Sequence, residues 1–94
     1  MGYYIQCPEP KNKSRQIMEM LDGIEISTEE AEMIIKEQLG AVICVVDNGP
    51  FEAAAYIYNL TEFRQFNRPE DNRPKTWIVV NDIDEVRRLT NYQR

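Results

Sequence analysis

Ninety-four residues, 43% hydrophobic and 29% charged, suffice for one modest core, too few for two domains and too apolar for wholesale disorder. The net charge of −5 is unevenly spread: residues 16–62 hold ten acids against Lys36 alone, whereas both flanking segments are mildly basic, a balance that disfavours a nucleic-acid backbone. Histidine is absent, which removes the commonest general base and metal ligand, and no apolar run nears the ~18 to 20 residues of a membrane helix.

In chain order, Tyr3-Tyr4-Ile5-Gln6-Cys7 reads as a strand that stops at Pro8-Glu9-Pro10. Ser14, Ile17, Met18 and Leu21 fall at helical spacing, with Met20 at the margin and Gly23 expected as a left-handed stop. Ile24-Glu25-Ile26 fits either an extended link or a short edge strand. Ser27-Thr28-Glu29-Glu30 is a capping box, and Ala31, Ile34, Ile35 and Gln38, with Leu39 beside them, trace the inner stripe of a helix over 27–39 that Gly40 should end.

Ala41-Val42-Ile43-Cys44-Val45-Val46 shows no polar alternation, so this strand should be central and covered on both faces. Asp47-Asn48-Gly49-Pro50 is a turn signal. Phe51 to Tyr58 admits a helix through its alanines, but its Ile-Tyr ending and the turn before it favour a strand, antiparallel to its predecessor because the link is short. That strand would place Tyr56 and Tyr58 on one face. Thr61 is read as the cap of a short helix with Phe63 and Phe66 inward, and 68–74 as an exposed loop. Thr76 to Val80 is a strand, and Asn81 or Asp82 caps a last helix that turns Ile83, Val86 and Leu89 to the sheet. The fold class is α+β: a single small domain over 1–94, with about four mostly antiparallel or mixed strands and three to four helices.

Catalysis has little to stand on. Ser14 and Ser27 belong to helix patterns and not to a nucleophile elbow, and neither Cys7 nor Cys44 has a basic neighbour in sequence to activate its thiol. The two cysteines are expected to be reduced, slow-reacting hydrophobes. The four glycines are isolated and build no phosphate loop, and no cofactor or metal is implied. The expectation is a protein that is not an enzyme.

Binding offers more. Arg64, Arg68, Arg73 and Lys75 lie near Phe66 and Trp77, an arrangement that can hold phosphates, although Glu62, Glu70 and Asp71 among them argue against nucleic acid. Tyr56 and Tyr58 suit a protein-binding surface, and an edge strand at the N-terminus permits a homodimer. Asn48, ahead of Pro50, would lead into amides able to hold an anion if a helix began there. The candidate residues for a ligand or partner are therefore Arg64, Arg73, Lys75, Tyr56, Tyr58 and Asn48.

Three stretches carry a resemblance: Val45-Val46-Asp47-Asn48-Gly49-Pro50-Phe51-Glu52-Ala53-Ala54, Glu62-Phe63-Arg64-Gln65-Phe66, and Arg73-Pro74-Lys75-Thr76-Trp77. Over roughly residues 42–80 the chain resembles small, functionally uncharacterised proteins of bacteriophages and prophages. The resemblance implies no catalytic residue. It implies a non-enzymatic interaction protein in the cytoplasm of a bacterial host cell, directed at a host or defence protein, with a small anionic ligand such as a signalling nucleotide as the alternative.

Overall fold

The computed structural model describes residues 3–5, 12–46, 53–71 and 73–90. Along the chain it forms β1 (Tyr3–Tyr4), α1 (Lys13–Leu21), β2 (Ile24–Ile26), α2 (Thr28–Glu37) and β3 (Ala41–Val46), then β4 (Ala53–Ile57), α3 (Leu60–Phe66), β5 (Lys75–Val80) and α4 (Ile83–Thr90). The α+β class is as expected, and every strand pairing is antiparallel.

The sheet order is β1-β4-β3-β5-β2, with β3 at the centre and β1 and β2 at the edges. All six residues of β3 are buried, as their unbroken apolar run requires: Ala41, Ile43 and Val45 face one layer, Val42, Cys44 and Val46 the other. The first layer is built on α1 and α4, through Ile17, Leu21 and Val86, with Met18 and Ile83 packed beside them. The second is built on α2 and α3, through Ala31, Ile35 and Phe63. Phe63 also stacks obliquely on Trp77 of β5, ring centroids 5.0 Å apart. Three layers result, a sheet between two pairs of helices.

The strand reading of 51–58 holds for Ala53–Ile57, paired with β3 in the register Val42↔Ile57 to Val46↔Ala53. Ala54 and Ala55 are buried in the two opposite layers, where small side chains fit beside their neighbours, and this outweighs the helical propensity of the run. Ile24–Ile26 is an edge strand, paired with β5 from Ile24↔Val79 to Ile26↔Trp77. The turn at 47–50, Phe51, Glu52 and the segment from Gln6 to Lys11, Cys7 included, lie outside the described residues, as does the Leu89 side chain.

The expected capping box at α2 is present. The Glu30 amide donates to Ser27 Oγ, and the Ser27 amide donates to Glu30 Oε1, both at 3.1 Å. The hydrogen bond from the Ser27 backbone, seconded by its side chain, holds the Glu30 carboxyl below the usual carboxylate range.

Several local expectations need correction. Gly23 and Gly40 are not the left-handed stops: Asp22 (φ 52°) and Gln38 (φ 56°) are. Gly23 is required instead by close packing, since a Cβ there would lie 2.6 Å from Ile78 Cγ2 and 2.9 Å from Val80 Cγ1. Gly40 is tight in a milder way, 3.2 Å from Val79 Cγ2 and from the Val80 carbonyl oxygen. Gln38 and Leu39 are both exposed, because the left-handed turn at Gln38 carries the chain off the inner face of α2. The α3 cap is Asn59 and not Thr61, with Asn59 Oδ1 accepting from the Glu62 amide at 2.8 Å. Between Asn81 and Asp82, the α4 cap is Asp82, which accepts from the Glu85 amide at 3.0 Å.

Candidate functional site

Arg73 and Lys75 stand at the entry to β5, in a segment whose composition suggests a plain exposed loop. The structure gives it a hub, Asp71, whose side chain is only 7% exposed. The Arg73 guanidinium grips that carboxylate with two bonds, Nε to Oδ1 at 2.9 Å and Nη2 to Oδ2 at 2.7 Å, and the Arg73 amide adds a third to Oδ1 at 3.2 Å. Lys75 Nζ lies 3.5 Å from Asp71 Oδ1 and donates to the carbonyls of Asp71 and Arg73. Its side chain is 10% exposed.

Hydrogen bonding to the Arg73 side chain, then to its backbone amide, pushes the Asp71 carboxyl far below the carboxylate range, and Arg73 is raised in return. The two cations therefore close the turn into β5 upon an internal anion. The guanidinium also sits within electrostatic reach of the Cys44 thiol, a neighbour that sequence adjacency could not reveal. Cys44 itself is fully buried.

Tyr56 and Tyr58 do share a face, with ring centroids 6.0 Å apart and planes tilted by 50°. Tyr56 is half-buried against the layer of α1 and α4, and Tyr58 is exposed. Strand register separates this pair from the cations in two ways. Lys75 aligns with Val46 at one end of the sheet. Tyr58, one residue past Ile57, stands level with Ala41 and Val80 at the other. Five residue steps along β5 separate the two levels, roughly 17 Å at the rise of a strand. Lys75 also alternates onto the side of Trp77, the layer of α2 and α3, whereas Tyr56 belongs to the opposite layer. The tyrosines and the Arg73–Lys75 pair thus do not meet. Arg64 is exposed on α3, and Asn48 lies outside the described residues.

Residue chemistry in the sequence did not single out the β2 edge. Among the described residues, β2 pairs on one side only. Ile24 is 67% exposed, Glu25 is exposed, and Ile26 turns into the layer of α2 and α3. Val79, opposite Ile24, touches the Gly40 position, and Leu39, 65% exposed, precedes that glycine. The signal was available as Ile-Glu-Ile beside the acidic run, but only pairing with β5 makes it an edge.

Among the described residues, no group of three His, Cys, Asp or Glu side chains could hold a metal ion, and no helix is long and apolar enough to cross a membrane. Compared with protein-family models, curated proteins and solved structures, the chain matches none.

Proposed function

We propose that this chain works by binding a protein partner and catalyses no reaction of its own. The observation that carries this reading is the β2 edge, where Ile24 stands two-thirds exposed on a strand that, among the described residues, pairs on one side only. An open edge offers main-chain donors and acceptors, and large apolar side chains next to it offer area to bury. The anionic-ligand alternative asks for several convergent cations. Here Arg73 and Lys75 are turned upon Asp71, and the tyrosines lie at the far end and on the opposite face. The resemblance of residues 42–80 to phage and prophage proteins makes a host or defence protein of the bacterial cytoplasm the class of partner.

The test joins two measurements. A protein captured from bacterial lysate is purified and recombined with this chain, and a saturable 1:1 titration by calorimetry supports the reading. In parallel, nucleotides are screened by thermal shift. A rise in melting temperature with one nucleotide, abolished by Arg73→Ala and by Lys75→Ala, overturns it in favour of the ligand reading.

A further inference from the structure

We infer that β2 is a docking edge for an extended, basic segment of another protein, which adds to the sheet as a sixth strand; this rests on the protein-binding reading above. The geometry is that of an edge lacking its neighbour. Three residues of β2 pair with β5, and among the described residues nothing pairs with the other side. Main-chain groups on such an edge accept an incoming strand in register, and alternate side chains set its specificity.

The side chains define the occupant. Ile24 and Ile26 point toward the α2–α3 side, where Val79 extends the apolar surface, and Glu25 points to the opposite side. A matching strand carries apolar residues opposite the isoleucines and a lysine or arginine opposite Glu25. The wider field selects the same sign. From Gln16 to Ile35 the chain holds six acids, Glu19, Asp22, Glu25, Glu29, Glu30 and Glu32, and no lysine or arginine. This stretch covers the later part of α1, all of β2 and most of α2. Lys13 and Arg15 precede it in α1, Arg15 paired with Glu19, and Lys36 follows just after it, so the acids nearest the edge in sequence outnumber the bases.

The same charge disfavours the simplest competitor, a second copy of this chain. A two-fold antiparallel β2–β2 pair that uses all three residues must centre on Glu25, setting it directly against its copy. Like charges in that position are destabilising, and two bodies of net charge −5 repel at longer range. Glu25 thus guards the edge against self-pairing while leaving it complementary to a basic strand.

Synthetic peptides of alternating Val and Lys/Arg test this, with controls in which Glu replaces the basic residues or the apolar residues are made contiguous. Binding is read by fluorescence anisotropy, alongside amide exchange of β2. The alternating basic peptide should bind and protect β2 amides. It should weaken between about 0.1 M and 1 M salt, as the screening length falls from about 10 to about 3 Å. Glu25→Lys, at an exposed position and with an unchanged melting temperature, should weaken that peptide about tenfold or more and favour the acidic control instead. Equal binding of basic and acidic peptides, or no response to Glu25→Lys, overturns the docking edge. Concentration-dependent self-association abolished by Ile24→Asp overturns it in favour of a homodimer. A purified protein partner whose affinity ignores both Ile24→Asp and Glu25→Lys overturns it while leaving the protein-binding reading standing.

Discussion

Replacing Gly23 by alanine tests whether packing or backbone conformation demands a glycine after α1. Gly-to-Ala changes at compatible positions stabilise by roughly 0.4–1 kcal/mol, through a less disordered unfolded chain. At Gly23 the new methyl would fall 2.6 Å from Ile78 Cγ2 and 2.9 Å from Val80 Cγ1, about 1 Å inside the ~3.5–4.0 Å of a normal carbon contact. Neither neighbour can yield into solvent, since Ile78 and Val80 are fully buried and their clashing methyls are branched directly on Cβ. Overpacking of this kind costs about 1–3 kcal/mol, so the sign inverts relative to an ordinary glycine. In a domain of this size each kcal/mol shifts the melting temperature by about 4–8 °C, which predicts a drop of at least several degrees. Urea and thermal melts of Gly23→Ala, Gly23→Asn, Ile78→Ala and the Gly23→Ala/Ile78→Ala pair measure it. The pair should be less destabilised than the sum of its parts, because truncating Ile78 vacates the clash. Gly23→Asn should be worse than alanine. A left-handed Gly23 would reverse that order, and a neutral or stabilising Gly23→Ala would refute the packing argument outright.

Three further outcomes follow from the same structure. Ser27→Ala deletes the acceptor of the Glu30 amide and should lower stability by about 1 kcal/mol in urea melts, whereas Ser27→Asp keeps the cap and should lose far less. Asp71→Asn should unfold at lower urea than the parent at pH 7. Because the folded Asp71 pKa lies below its unfolded value, its contribution is full above the unfolded pKa of about 3.9 and is lost as pH falls through the folded value. The gap between parent and Asp71→Asn should therefore narrow in acid, and a gap unchanged down to about pH 2 would refute the Arg73 pairing as its source. Cys44, fully buried in β3, should react with iodoacetamide slowly in the native protein and rapidly in denaturant; fast native labelling at neutral pH would show an opening of the central strand.

What the sequence determined by itself are features whose cause lies within a few residues. Even there, it set the α3 cap at Thr61 where Asn59 serves, and the left-handed stops at Gly23 and Gly40 where Asp22 and Gln38 serve. The capping box at Ser27 and Glu30, the helical stripe through Ala31 and Ile35, and the central burial of Ala41–Val46 rest on local geometry and on an apolar run that tolerates no wet face. The order of elements and the antiparallel hairpin of β3 and β4 follow from periodicity and a short link. Tertiary structure decided what depends on approach between distant segments. Gly23 is needed because α1 ends against Ile78 and Val80, some fifty-five residues on, while the left-handed turn falls to Asp22. Arg73 and Lys75 read as available cations until folding sets the Asp71 side chain, only 7% exposed, between them. Tyr56 and Arg73, both candidates by residue type, are parted by strand register, which no local pattern encodes. Ile24 became an exposed edge for the same reason: β2 owes its single neighbour to β5, and a three-residue segment has too little pattern of its own to announce which side stays open.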